Sequence, residues 1–255
     1  MDGPIFSACA LLTALTSALC LYTTLQRRHK PEYRLARRAR AIASLSAFIG
    51  SLLAIPTVAD AVDQVAKCNE LATLASDLAA VVFGAGLQVM VVDWRHPRER
   101  VNASVTKRVA ATCAVIVLLL WEFHRIDTAH VDLSTVYARD HQVTVYLLTY
   151  LAFSAAAALE VSTISALLAR RTRLRGHASA LGLSICAAGG AFGLAYAMSR
   201  SSYLIAVHAG HAWPLSVENA INPALAGLAI GCVTIGLSLA TVRADASRRR
   251  VGSRG

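Results

Sequence analysis

Residues 71–100 read LATLASDLAAVVFGAGLQVMVVDWRHPRER. From Leu71 to Val92 the run is almost unbroken apolar, and charge then arrives together in Asp93, Arg95, Arg98, Glu99 and Arg100. A helix rises about 1.5 Å per residue and must cross about 30 Å of hydrocarbon. The run therefore predicts a membrane-spanning helix stopped by a basic, water-facing segment, with Asp77 as its one ionisable group.

The same pattern recurs at Ile5–Leu25, Ala41–Ala59, Val105–Phe123, Val143–Leu168, Leu181–Val207 and Ala220–Val242. None of these runs has the period-2 alternation of an outer-membrane barrel. The chain is 56% hydrophobic and 16% charged, whereas soluble domains carry about 25% charge. The sequence thus predicts an all-α integral membrane protein, a seven-transmembrane-helix bundle over residues 1–242 with a short basic tail over residues 243–255. The first run has its positive cluster after its apolar core and none before it, which reads as a retained helix and not a cleaved signal peptide. The segments between spans are too short to build a core of their own, which excludes P-loop, dinucleotide-binding, kinase and nuclease modules.

Orientation follows from charge. Of the 25 basic residues, 21 fall on alternate connections and the tail, among them Arg27, Arg28, Lys30, Arg34, Arg37, Arg38 and Arg40 on the first connection and Arg95, Arg98, Arg100, Lys107 and Arg108 on the third. Arg170, Arg171, Arg173 and Arg175 mark the fifth, and Arg243, Arg248, Arg249, Arg250 and Arg254 the tail. Basic loops stay in the cytoplasm, so the N-terminus is expected outside and the C-terminus cytoplasmic in a multi-pass plasma-membrane protein. Asp60, Asp63, Glu70, Glu122, Asp127, Asp132, Asp140 and Glu218 then belong to the outer loops. The net charge of +10 is explained by topology and by attraction to anionic lipid head groups, not by nucleic acid. Tyr22 and Trp94 at inner ends, with Trp121, Tyr146, Tyr203 and Trp213 at outer ends, read as interfacial belts.

Three ionisable residues lie inside the predicted spans: Asp77, Glu160 and Arg200. Each costs at least ~2.5–3.5 kcal/mol to insert near the bilayer centre, so such groups face a partner or a cavity and are candidates for a ligand or proton site. By depth, Asp77 and Arg200 are expected to meet in the outer leaflet, either as a polar clasp between helices or as a functional pair. Glu160 lies too far toward the cytoplasm to join them. It reads either as a neutral, hydrogen-bonded core acid or as a ligand or proton site of its own.

Other motifs are bland. Five of eight histidines, His124, His130, His141, His208 and His211, fall on the outer side without a ligand motif, and no metal or other cofactor is called for. Of the six cysteines only Cys68 falls in an outer loop, and Cys9, Cys20, Cys113, Cys186 and Cys232 read as small apolar packers. Gly189 and Gly193, then Gly227 and Gly231, have GxxxG spacing, which packs helices closely within one chain or between two copies as a homodimer. Pro56 and Pro223 mark span ends or mild kinks.

The segments Ile55–Asp63, Asn69–Ala72, Val92–Arg95, Val145–Ala152 and Ser199–Leu204 resemble a group of actinobacterial multi-pass membrane proteins of unknown function, usually labelled as transporters. The resemblance implies a helical membrane fold and a membrane setting, and supplies these more than an activity. Members generally carry a longer cytoplasmic region after the last helix, whereas this sequence stops thirteen residues past Val242, so no role of that region carries over. The leading expectation is a plasma-membrane protein that binds or translocates a small molecule or signal near Asp77, Arg200 and Glu160. The rivals are an integral-membrane enzyme, such as a small seven-helix terpene cyclase using buried acids, and a non-catalytic accessory subunit held to a protein partner. Seven helices without internal symmetry do not divide into the two repeats of a standard carrier. The balance leans away from an enzyme.

Overall fold

The computed structural model describes residues 2–26, 34–95, 98–127, 132–174 and 179–252. Arg27, Arg28, Lys30, Arg175, Arg254 and His130 lie outside the described residues. The helices are α1 (Asp2–Gln26), α2 (Arg34–Leu53), α3 (Pro56–Ala66), α4 (Leu71–Arg95), α5 (Arg98–Arg125), α6 (His141–Leu174), α7 (Ala180–His208) and α8 (Leu215–Gly252). A 3-10 turn at Thr135–Tyr137 interrupts the α5–α6 connection, and no strand occurs among the described residues. Six helices are long and apolar enough to cross a bilayer, and α2 with α3 forms a seventh, broken candidate. The chain is a polytopic helical membrane protein.

The second predicted span is corrected. It does not run straight from Ala41 to Ala59: α2 begins at Arg34, ends at Leu53 and is followed by α3 at 87° to it. Pro56 has no N–H to continue the ladder and forces the residue before it out of the helical region. Ile55 accordingly takes φ −79° and ψ 120°, and Pro56 opens α3 at a position where its missing donor does no harm. Pro56 is therefore a sharp break and not a mild kink. Pro223, expected to mark a span end or a mild kink, lies inside α8. The backbone of the basic tail continues α8 as far as Gly252.

Contacts between neighbours run from α1 to α2, α4, α6, α7 and α8 and back to α1, a closed circuit, with α5 packed outside it on α4 and α6. Residue pairings fix the directions. Gly86 faces Ala43 and Gly50 faces Ala79, so α2 and α4 are antiparallel, whereas Gln88 meets Glu160 and Gly84 meets Ala157, so α4 and α6 run together. This alternation brings the starts of α2 and α5 to the same end of the bundle as the finishes of α4 and α6. Arg34, Arg95, Arg98 and Arg173 therefore mark one basic end, and Asp63, Glu70 and Asp140 sit at the other.

Lipid gives helices little hydrophobic reason to associate, so close backbone approach and hydrogen bonds must hold the circuit. A Cβ added to Gly189 would lie 2.7 Å from the backbone nitrogen of Val233, and one on Gly182 would lie 2.7 Å from the carbonyl oxygen of Gly236. Helices α7 and α8 therefore touch backbone to backbone. Gly190 is equally tight against Ser162 of α6, and Gly227 against Ile5 of α1, while Gly231 faces open space. A Cβ on Gly193 would lie in ordinary contact with Ala158 and Ala229, so three of the four GxxxG glycines, Gly189, Gly193 and Gly227, face neighbouring helices of the same chain.

Two apolar clusters fill the interior. One, around Leu74, Val81, Leu119, Leu147, Leu151 and Leu204, occupies the acidic half; the other, around Ala43, Leu87, Met90, Val161 and Val233, occupies the basic half.

Candidate functional site

In the acidic half, Asp77 of α4 accepts a hydrogen bond from the Tyr146 hydroxyl of α6 at 2.9 Å. Tyr150 follows Tyr146 one turn along α6, and from α7 the Arg200 guanidinium donates to the Tyr196 hydroxyl at 2.8 Å. The i, i+4 spacing of Tyr146 with Tyr150, and of Tyr196 with Arg200, stacks each pair on one helix face. The α6 face meets Asp77 directly, and the charge of Arg200 reaches it from α7. Tyr146 is fully buried and Tyr150 is 8% exposed. The charges of Asp77 and Arg200 act on one another, yet no direct ion pair joins them among the described contacts. The Nε of Arg200 is buried with no acceptor.

The cluster corrects one sequence reading. Tyr146 is not an interfacial belt residue but the link between α6 and Asp77, and Tyr203 is likewise buried, edge-on to Trp213 at 5.4 Å. Only Trp121 of the outer aromatics is well exposed, and Arg125 stacks over its ring at 4.8 Å. Belt and core tyrosines have the same hydropathy, so only packing separates them.

Glu160 is placed elsewhere. Because α5 begins at Arg98, Arg108 belongs to its third turn and not to a basic loop, and its guanidinium forms an ion pair with the Glu160 carboxylate. Arg108 Nε donates to Glu160 at 3.2 Å, Gln88 of α4 donates at 2.8 Å, and Arg108 is steadied by a bond to the Ser104 carbonyl at 2.8 Å. Glu160, expected either as a neutral, hydrogen-bonded core acid or as a ligand or proton site, ties α4, α5 and α6 together through Gln88 and Arg108.

Two further acids read as outer-loop residues are buried. Glu122, 7% exposed, accepts from Thr149 at 3.0 Å and leaves its other oxygen without a partner. Glu218, fully buried, accepts from the Trp213 indole at 3.1 Å and from Asn222, which fastens the α7–α8 connection onto the first turns of α8. Their signal was present in the sequence: both fall within a turn or two of a span end, where a helix longer than its apolar core carries an acid inward.

At the acidic face, Asp63 of α3 receives the backbone N–H of Glu70 at 3.0 Å and that of Ala72 at 2.8 Å, capping the start of α4 from a neighbouring helix. Burial raises the Glu70 carboxyl above its ordinary range, an effect reinforced by the nearby charges of Asp132 and Asp63 and opposed by hydrogen bonds from Thr73 and the Leu133 backbone.

Among the described residues no group of three His, Cys, Asp or Glu side chains has the geometry to hold a metal. His208 and His211 turn their Nδ1 atoms to the carbonyls of Leu204 and Ala209. Cys113, expected to pack, is exposed on α5, and Cys68 is half-buried beside Asn69. No protein family, curated protein or solved structure matches the chain.

Proposed function

We propose that this polytopic membrane protein binds a small zwitterionic molecule between Asp77 and Arg200, as the carrier or receptor of a plasma membrane. The observation that carries the reading is a contrast within one bundle. Arg108 and Glu160, on neighbouring helices, close into a direct ion pair, which is what a polar clasp does. Asp77 and Arg200 are held by separate tyrosines, and Arg200 keeps a buried donor unused. An unpaired acid and base within reach of each other's field match a ligand that carries both charges. Its ammonium takes the place of the Tyr146 hydroxyl at Asp77, and its carboxylate takes the free Nε of Arg200. A low dielectric around both contacts strengthens them. The basic ends lie in the cytoplasm under the positive-inside rule, which puts the Asp77 half of the bundle nearer the outside, where such a solute is met.

The test is thermal stabilisation of the purified protein by single amino acids. A ligand at a hundred times its dissociation constant stabilises by about 2.7 kcal/mol. The shift is expected in the parent protein and in Glu160→Gln, and is expected to vanish in Asp77→Asn and in Arg200→Gln. A shift that survives both substitutions sinks the assignment. For orientation, an impermeant maleimide is expected to label Cys68 in intact cells; labelling unchanged in Cys68→Ser argues against that side being outside.

A further inference from the structure

We infer that α3 is an interfacial helix, seated in the boundary between lipid head groups and acyl chains at the acidic end of the bundle. Its eleven residues cover roughly 16 Å, about half of what a span needs. None of them is buried in the protein.

Helical spacing divides α3 into three strips. Ala59, Val62 and Asp63 are half-buried, on the side that meets α2 and α4. Thr57, Asp60 and Gln64, at i, i+3 and i+7, form an exposed polar strip. Val58, Ala61 and Val65, at the same spacing, form an apolar strip beside it, in which Ala61 is exposed and Val65 is 86% exposed. A helix with one side on protein, one polar side and one bare apolar side fits a surface that is wet above and oily below.

Depth follows from the flanking chain. The apolar part of α2, Ala41 to Leu53, holds thirteen residues, and these rise only about 20 Å against the roughly 30 Å of a hydrocarbon core. With its arginine-bearing start at the basic face, α2 ends beneath the opposite one. The 87° turn then lays α3 flat at that level, and Asp63 pins its far end to the start of α4. The outward residues Ile42, Leu45 and Ile49 make a bare apolar band along α2 that leads up to this corner. The apolar strip of α3 and the bare band of α2 belong to consecutive helices that meet at this corner, and a bare apolar band on a spanning helix faces acyl chains, so the occupant we assign to the strip is lipid and not a second protein.

Nitroxide labels on single cysteines at positions 60, 61, 64 and 65, in a background from which all six native cysteines have been replaced by Ser or Ala and in phosphatidylcholine vesicles, test this. Labels replacing Ala61 and Val65 are expected to be relaxed more by dissolved oxygen, and those replacing Asp60 and Gln64 more by a water-soluble nickel chelate. Equal accessibility of all four to nickel would place α3 in water and overturn the inference. Low accessibility to both reagents at positions 61 and 65 would mean that protein covers the strip, and would overturn it equally. Each label perturbs one exposed site, and a thermal unfolding transition of each labelled variant that matches that of the unlabelled cysteine-free protein shows that the fold is retained.

Discussion

Asp77 and Arg200 share one buried cluster but bond to different tyrosines, Asp77 to Tyr146 and Arg200 to Tyr196. Opposite charges near each other in low dielectric attract strongly, so keeping them apart requires the surrounding packing to hold each in place. Tyr146, fully buried among Leu74, Val81 and Leu151, provides that hold on the Asp77 side.

Tyr146→Phe removes the one described hydrogen-bond donor to Asp77 while keeping the ring that fills the core. Leaving a buried acceptor unsatisfied costs about 1–3 kcal/mol. The variant is expected to melt earlier by that amount. Unchanged stability would mean that Arg200 swings in to replace the hydroxyl.

The two charge pairs are expected to couple differently. Arg108→Gln or Glu160→Gln each breaks a half-exposed ion pair, and a charged hydrogen bond is worth about 1.5–3 kcal/mol. The double variant should recover a good part of that loss, giving a large coupling energy in a double-mutant cycle. The same cycle on Asp77→Asn and Arg200→Gln should give the smaller coupling, because no direct contact is lost. Equal couplings would show that Asp77 and Arg200 form a clasp after all.

Helix packing makes a sharper division among glycines. Gly182→Ala places a methyl 2.7 Å from the Gly236 carbonyl oxygen, against backbone that has nowhere to go, and overpacking of this kind costs roughly 1–3 kcal/mol. Gly231→Ala meets nothing within 4 Å and gains helix propensity. Thermal denaturation in detergent should therefore separate the two by several degrees. A destabilised Gly231→Ala would instead point to a second copy of the chain packed on that face.

Glu70 sets a pH dependence at the acidic end. Its carboxyl is raised in the folded protein, mainly by burial, so the folded state holds the proton more tightly than the unfolded chain does. That contribution to stability is complete below the unfolded value and is lost as pH rises through the folded one. Glu70→Gln should flatten this decline and leave the acid limit nearly unchanged. Parallel profiles for parent and variant would remove Glu70 as the cause.

The sequence by itself determined that this is a helical membrane protein and where most spans lie, because about twenty apolar residues in a row have few other stable fates. It also put Asp77 and Arg200 at a common depth, since depth along a helix is a matter of counting residues. What it left undecided depended on direction around the helix. Arg108 looks like one more basic loop residue until α5 is extended back to Arg98 and turned toward α6, where it pairs with Glu160. Tyr146 looks interfacial until α6 is rotated to face Asp77. Ile55-Pro56 announces a break, but its angle of 87°, and the bonds by which Asp63 takes the open N–H groups of Glu70 and Ala72 at the start of α4, are seen only in the fold. Apolar runs are set by transfer of each residue from water to lipid, a local quantity. Which polar side chains meet is set by how neighbouring helices rotate and approach, and only the packed bundle decides that.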